Sequence, residues 1–339
     1  MKIVTFGEIM LRLAPEGYLR FAQAEKFNAT YGGGEANVAV SLSILGKEAE
    51  FVTKLPKNEL GDAAIASLNR YGVATKNIAR GGTRVGIYFL EKGAGPRPSK
   101  VIYDRAASAI AEASPSDFDW EKIFEGASWF HFTGISPALS DGTAEILKTA
   151  LKAAKNMGLT VSCDLNYRKK LWSKERARAV MTPLMDYVDV LIANEEDAAD
   201  VFSISAAGAN AEAGNIEASA YAEVAGKLIE AFGFKYVGVT LRKSISASDN
   251  LWQALLSDGK AEYISKQYSI RIVDRVGGGD SFAAGLIFAL SENFPPKLAV
   301  EFAAAASCLK HTIEGDFNLS TKEEIFALME GGGTGRVQR

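Results

Sequence analysis

Three glycines at 277–279 end on Asp280 and lead into a helix of small residues, in the run Asp274-Arg275-Val276-Gly277-Gly278-Gly279-Asp280-Ser281-Phe282 followed by Ala283, Ala284 and Gly285. Glycines entering a helix leave backbone N–H groups uncovered by side chains, and with the helix dipole they form an anion site. A carboxylate beside that site is poorly suited to binding phosphate. Its better use is to accept a proton from a hydroxyl attacking a phosphoryl group, while Gly277, Gly278 and Gly279 stabilise the charge spreading over the group in transit. Spacing alone leaves a plainer reading equally open, a tight turn with Asp280 capping the helix. A dinucleotide-binding loop fits less well, because that motif follows a strand early in a βαβ unit with an acid about 20 residues on. A Walker-type loop is excluded, since no Gly-Lys-Ser/Thr follows.

The elements that must position this run are legible as alternation. Ile3 to Phe6, Trp129 to Thr133, Thr160 to Asp164, Val188 to Ala193 and Tyr236 to Thr240 read as buried strands. Between them lie helical patterns at Glu35 to Leu45, Asp62 to Tyr71, Thr143 to Met157 and Tyr221 to Phe232, most of them stopped by glycine. This order predicts an α/β fold, a mostly parallel central sheet sandwiched by helices. Residues 12–31 and 83–105 break the alternation and predict a small β lid, projecting from a core made of 1–11, 32–82 and 106–330. Its apolar face needs a partner, either a pocket to cover or a second copy of the chain, and a homo-oligomer through the lid is expected. Asp258-Gly259 signals a further hairpin near Leu251 to Lys266. The Gly-rich tail 331–339 is expected to be flexible.

Composition narrows the class. The chain has 339 residues, 47% of them hydrophobic, and a formal charge of -3, which predicts a soluble globular protein with no nucleic-acid footprint. Met1 to Gly7 reads as a strand rather than a signal segment, and no apolar run is long enough to span a bilayer, so no membrane partner and a cytoplasmic location are expected. Cys163 and Cys308, with His131 and His311, are too few for a disulfide framework or a cysteine- or histidine-built metal site. Both histidines read as core or surface filler.

Asp274 to Asp280 resembles the Asp-x-x-Gly-Ala-Gly-Asp signature of the ribokinase-like (phosphofructokinase-B) sugar kinases, with Gly278 where Ala is commoner. Gly32-Gly33-Gly34-Glu35-Ala36-Asn37-Val38-Ala39 resembles their second signature. The resemblance implies a ribokinase-like fold, ATP as phosphoryl donor with Mg2+, and Asp280 as catalytic base with the glycine amides as anion hole. It places Gly33, Gly34 and Asn37 at the sugar, while Gly32 to Gly34 read as a hinge whose glycines supply backbone angles closed to other residues. Glu35 reads as a first-turn acid. Asp164-Leu165-Asn166-Tyr167-Arg168 is similar to the family segment in which Asn and Arg approach substrate and phosphate, implicating Asn166 and Arg168. Asn194-Glu195-Glu196-Asp197 is similar to its Asn-x-x-Glu motif for Mg2+ and phosphate, with Asp197 in the final place and Glu196 as a stand-in. Thr240-Leu241-Arg242 occupies the position of a Thr-x-Gly nucleotide segment, and Ser307, within Ala303 to Ser307, is placed near the nucleotide together with Asn318. A monovalent cation activator is left open.

The family's ribose and fructose kinases carry an acid after a Gly-Glu like Gly7-Glu8, where this chain has Arg12. A base in place of an acid predicts a substrate with its own negative charge. Tyr88, Tyr103 and Arg105 on lid strands and Arg168 on the core add phenols and guanidinium forks suited to a carboxylate. This pattern resembles the 2-keto-3-deoxygluconate kinases of the family and implies ATP-dependent phosphorylation of a sugar acid at its 6-hydroxyl. The alternatives are a kinase for fructose, another neutral sugar or a nucleoside, a non-catalytic sugar or nucleotide sensor, and a nicotinamide-dependent oxidoreductase.

Overall fold

The computed structural model describes residues 1–206 and 218–331; the tail expected at 331–339 falls, from 332 on, outside them. The chain opens with β1 (Lys2–Phe6), β2 (Met10–Ala14), β3 (Asn28–Gly32), α1 (Gly34–Ile44), β4 (Glu48–Val52), β5 (Lys54–Leu55) and α2 (Glu59–Asn69). It continues through β6 (Ala79–Arg80), β7 (Gly86–Glu91), β8 (Lys100–Asp104), α3 (Trp120–Ile123), β9 (Ala127–Thr133), α4 (Asp141–Asn156), β10 (Thr160–Asp164), α5 (Lys174–Met185), β11 (Val190–Ala193) and α6 (Glu195–Phe202). The last third holds α7 (Ala218–Phe232), β12 (Tyr236–Ser244), β13 (Asp249–Ser257), β14 (Glu262–Ile264), β15 (Tyr268–Arg271), α8 (Gly278–Ser291), α9 (Pro296–Lys310) and α10 (Lys322–Met329).

The main sheet runs β14-β13-β12-β11-β10-β9-β1-β4, with β15 beside β13. From β4 to β12 every pairing is parallel, and β13 turns antiparallel. The period-2 alternation of a strand sends neighbours to opposite faces: Val190 and Ile192 join the core built with α1, α8 and α9, while Leu191 and Ala193 join the one built with α4, α5 and α7. The fold is therefore the expected α/β sandwich. Among the described residues no helix is long and apolar enough to cross a membrane.

Strand order reverses between β1 and β9, since the chain leaves β1 for β4 on one side and later builds outward from β9 on the other. At such a point the loops following the strands diverge and leave a crevice at the sheet's carboxyl edge. The loops after β1, β9, β10 and β11 all open there. A four-stranded sheet, β3-β2-β7-β8, projects beside that edge. Its Met10, Ala14, Tyr88 and Leu90 are buried together, with Val101 and Val276 packed on them, so the lid's apolar face rests on the start of the glycine run.

Candidate active site

Gly277 is the N-cap of α8, with φ 83° and no side chain capping the helix. That conformation lies in the left-handed region that glycine tolerates, and a Cβ there would meet the Asp316 carbonyl oxygen at 2.1 Å. The first turn leaves the amides of Gly279 and Asp280 without intrahelical acceptors, and a Cβ on Gly279 would meet nothing within 4 Å, so this part of the loop faces open space. Gly278 is different. A Cβ there would fall 2.4 Å from Cε1 of His311, so the exchange with alanine that the family signature suggests is not neutral in this chain. His311 fills that place as a buried neutral ring, its pKa lowered to about 4 by burial, with Nδ1 2.7 Å from the Ser307 carbonyl oxygen. Ser307 donates its hydroxyl to the Gly278 carbonyl at 2.6 Å and is fully buried. It supports the loop from beneath instead of reaching the cleft, and Asn318 likewise spends its amide on Ser281 Oγ and the Ala306 carbonyl.

Asp280 sits partly buried on the first turn of α8, and its Oδ2 accepts from Asn37 Nδ2 at 2.7 Å. Asn37 is oriented in turn by the Gly33 N–H on its Oδ1 at 3.2 Å. Burial pushes the Asp280 carboxyl up from 3.8 to about 6, against the Asn37 hydrogen bond, with Asp316 raising it further and Arg168 and Lys310 lowering it. A carboxyl poised there is ionised at neutral pH yet basic enough to take a proton.

The glycines before α1 serve a purpose other than the one expected. None of Gly32, Gly33 and Gly34 lies in the left-handed region, Gly33 being extended at φ 173°; close approach requires them. A Cβ on Gly33 would lie 1.9 Å from the Glu8 carbonyl oxygen, and one on Gly32 would lie 2.1 Å from Asp316 Oδ2. At Gly34 it would lie 3.6 Å from Asp280 Oδ1 and 3.9 Å from Asn166 Nδ2, which places both side chains around one point. Glu35 is also more than a first-turn acid. It is 1% exposed, and its Oε1 accepts from Thr133 N, Thr133 Oγ1 and Ser136 Oγ at 3.0, 2.8 and 2.7 Å, tying the loop after β9 to α1. Burial raises its pKa to about 7, against those hydrogen bonds.

After β10, Asn166 takes φ 39° and its N–H donates to Asp164 Oδ1 at 3.1 Å. The next N–H, of Tyr167, donates to Asp197 Oδ1 at 3.2 Å. Asn194 caps α6 by accepting from Asp197 N at 2.7 Å, so its side chain shapes the acidic turn. Burial holds Asp197 up at about 7 and Asp164 well above the ordinary carboxylate range; Arg168 pulls both down. Among the described residues no group of three or more His, Cys, Asp or Glu could by itself hold a metal. Mg2+ bound to a nucleotide needs less, one or two carboxylates beside phosphate oxygens and water. Asp197 and Glu196, on the wall of the cleft, fit that donor set, and the raised pKa of Asp197 marks a carboxyl that a cation would return to its ionised form.

The cleft between the lid and the core has a volume of about 850 Å3, and its walls include Tyr103, Arg105, Tyr167, Arg168, Glu196 and Asp197. Arg105 lies over the Tyr103 ring, 5.4 Å from its centre, and its Nε donates to Glu8 Oε2 at 2.8 Å, with Ser108 on the other Glu8 oxygen. Tyr88 lies beneath Tyr103, buried, with its hydroxyl on Asp316. Arg12 is 2% exposed and spans Asp274 and Asp316, so it is not among the cleft walls. Thr240 and Arg242 lie on β12 where it continues into the antiparallel hairpin, and Arg242 acts electrostatically on Arg275 and His311 beside the glycine loop. Glu8, Glu35, Asp164, Lys310 and Asp316 were not singled out from sequence as site residues. Glu8, Glu35 and Asp164 lay inside segments that were noticed for other residues; Lys310 and Asp316 carry no local pattern that would announce them.

Residues 1–322 match the pfkB family carbohydrate kinases. The crystal structure of the 2-dehydro-3-deoxygluconokinase of Thermotoga maritima is similar to this chain at 56% identity, with a TM-score of 0.95, covering 98% of this chain and 100% of that one. A 2-dehydro-3-deoxygalactonokinase of Haloferax volcanii is 35% identical over 334 residues, 98% of each chain. A 2-dehydro-3-deoxygluconokinase of Bacillus subtilis is 27% identical, over 96% of this chain and 94% of that one. With a carboxyl held near pH 6 beside a bare helix N-terminus, at the reversal point of a parallel sheet that a small β sheet overhangs, the chain belongs to the pfkB family of carbohydrate kinases.

Proposed function

We propose that this kinase transfers the γ-phosphoryl group of ATP to the 6-hydroxyl of 2-dehydro-3-deoxy-D-gluconate. The observation that carries the reading is the convergence of Arg105 from the lid and Arg168 from the core on one cleft, beside the Tyr103 ring. Arg105 is paired with Glu8 through Nε and Nη2, so the Arg168 guanidinium and the remaining Arg105 N–H groups are the donors a substrate carboxylate would meet, and they suit it better than a neutral sugar. Arg168, a wall of the cleft, also lowers the pKa of Asp280, and Asn166, two residues before it, lies near Gly34 and Asp280, so the base stands beside the cleft.

Asp280 accepts the proton of the 6-hydroxyl as that oxygen attacks phosphorus, and Asn37 fixes the carboxyl's orientation. The glycine turn 277–279 leaves the amides at the start of α8, those of Gly279 and Asp280 above all, free to meet the transferred oxygens, and the lid excludes water. Mg2+, bound with ATP, supplies positive charge on the phosphates; Asp197 and Glu196 are the residues that would hold it. Arg242 and Thr240 serve the nucleotide side.

The test is ATP consumption with 2-dehydro-3-deoxygluconate, its galactonate epimer, fructose, ribose and adenosine, with an Arg105→Met variant in parallel. Turnover of the sugar acids, with a KM raised about tenfold or more in the variant, is the expected outcome; turnover of a neutral sugar or adenosine in their place overturns the substrate assignment. The lid exposes Leu19, Phe27 and Ile102 at 41%, 39% and 54%, a surface that supports self-association of two copies. A monomeric sedimentation profile at micromolar concentration would discard that part.

A further inference from the structure

Arg12 and Tyr88 face each other across the β2–β7 pairing on the lid's inner side, and both are spent on carboxylates that belong to the core. Arg12 Nη2 lies 2.5 Å from Asp274 Oδ2, and its Nη1 lies 2.7 Å from Asp316 Oδ1. The Tyr88 hydroxyl is 2.7 and 2.6 Å from the two Asp316 oxygens. Asp274 opens the glycine run and accepts from Val276 N and Gly315 N, each at 3.2 Å. The Asp316 carbonyl presses against Gly277 where a Cβ would stand. One planar fork therefore bridges the two turns between which the N-cap of α8 is wedged. Val276 sits against the buried lid residues Met10, Ala14, Tyr88 and Leu90, so an apolar contact runs alongside the ionic one.

Two buried carboxylates this near each other repel unless a cation stays between them. Burial works against the charge of Arg12, and Asp316 and Asp274 more than offset it, so its pKa stands above the ordinary arginine value. Lys310, fully buried, adds a second cation near both carboxylates and donates to the Ile313 carbonyl at 3.0 Å. When β2 is seated, Arg12 holds the 274 and 316 turns at a fixed separation. Withdrawn, it would leave Lys310 near the pair and Lys92 4.0 Å from Asp274, but no planar fork spanning both carboxylates; the turns would ease apart, and the amides of the glycine turn would lose their aim.

We infer that Arg12 is a positioning residue which locks the Gly277–Gly279 anion hole to the seated lid through Asp274 and Asp316, and that it is not a ligand of the substrate's carboxylate. The inference rests on the reading of Gly277–Gly279 as the hole for the transferred phosphoryl group. It differs from a direct substrate role in which kinetic constant moves. An anion hole acts on charge that develops in the transition state, so its misalignment lowers kcat and leaves ground-state sugar binding nearly untouched.

The experiment is steady-state kinetics of the full chain and its Arg12→Met and Arg12→Lys variants, on whichever sugar the unaltered protein turns over best, with sugar affinity measured separately by calorimetric titration. Arg12→Met is expected to lose about 10²-fold in kcat, the scale of a misplacement near 1 Å, with sugar KM and affinity within about twofold. Arg12→Lys should recover part of the loss, because an ammonium can reach one carboxylate without spanning both. A KM raised for a sugar acid at unchanged kcat would make Arg12 a substrate ligand and overturn the inference; unchanged kcat and KM would overturn it as well. If Arg12→Met does not fold, Arg12→Lys and Asp274→Asn decide: a loss confined to kcat upholds the inference, and full turnover in both rejects it. Should the unaltered protein prefer a neutral sugar, the substrate assignment fails, while a loss confined to kcat on that sugar still upholds the role of Arg12.

Discussion

Replacing Asp280 by Asn should move activity and stability in opposite directions. The carboxyl is held at about 6 against an ordinary 3.8, chiefly because burial disfavours its charge, so keeping it ionised costs the folded state about 3 kcal/mol by linkage. Water at the mouth of the cleft screens part of that, and a net gain of about 1–3 kcal/mol on neutralising it is the working figure. The replacement amide keeps an oxygen to accept from Asn37, whose hydrogen bond is 2.7 Å long, so little is lost in exchange. The sign follows from the raised pKa: wild type and variant should melt together below about pH 4, diverge between pH 4 and 6, where the carboxyl of the unfolded chain ionises while the native one stays protonated, and stay apart above about pH 6. At pH 8 the variant should melt a few degrees higher by calorimetry while losing about 10²- to 10⁴-fold in kcat. A variant no more stable than wild type at pH 8, or one with near-normal turnover, would refute the assignment of Asp280 as a desolvated base.

The same carboxyl should appear in kcat/KM, which is expected to fall below about pH 6 as Asp280 becomes protonated; a profile flat to about pH 5 would place the essential proton elsewhere. Gly278→Ala should cost about 1–3 kcal/mol in thermal stability and lower turnover, because its Cβ falls 2.4 Å from the His311 ring, and adding His311→Ser should return part of both losses. Glu35→Ala should destabilise the chain by about 2–3 kcal/mol in denaturant titrations at pH 8, since Thr133 and Ser136 lose a buried acceptor. Glu35→Gln, which keeps an acceptor and removes a charge with a pKa near 7, should cost less than half as much there.

The parts of the site that were legible in the sequence are those whose meaning is local. Gly277 to Asp280 announce a turn into a helix, with capping by Asp280 left open on spacing alone, and the strand that ends at Asp164 predicts a crevice at its carboxyl end without knowledge of its neighbours. Asn37 and Asp280 lie 243 residues apart yet meet at 2.7 Å, and the two signatures that contain them carried the resemblance. What could not be read is what depends on partners distant along the chain. Arg12 looked like a cation seeking an anion, and it is one, but its anions are Asp274 and Asp316. Glu35 looked like a helix-dipole acid because the loop that donates to it, Thr133 to Ser136, follows a strand nearly a hundred residues later. Gly32 and Gly33 looked conformational, whereas the atoms that exclude a Cβ belong to Asp316 and Glu8. Ser307 was drawn to the nucleotide by its place in the chain, and its hydroxyl turned out to hold the glycine turn from behind.

Charge distribution connects these observations to the reaction. Asp164, Asp197 and Asp280 all have raised pKa values, and each is pulled down by the same guanidinium, that of Arg168. One cation shared among three carboxyls can satisfy none of them fully, and burial therefore dominates at each. If Arg168 also meets an anionic sugar, its charge is divided further, and the acids it serves become still harder to ionise. A cation arriving with the nucleotide acts in the opposite sense on Asp164 and Asp197. Ionisation at the cleft would then be coupled to occupancy, a sugar acid raising the basicity of Asp280 by drawing on Arg168, while Lys310 lowers the same carboxyl from the side of the glycine turn. Arg12 is spent on the two carboxylates of the turn, whereas Lys310 is shared between that turn and the base, so a change of charge at Asp280 is felt at the anion hole through Lys310.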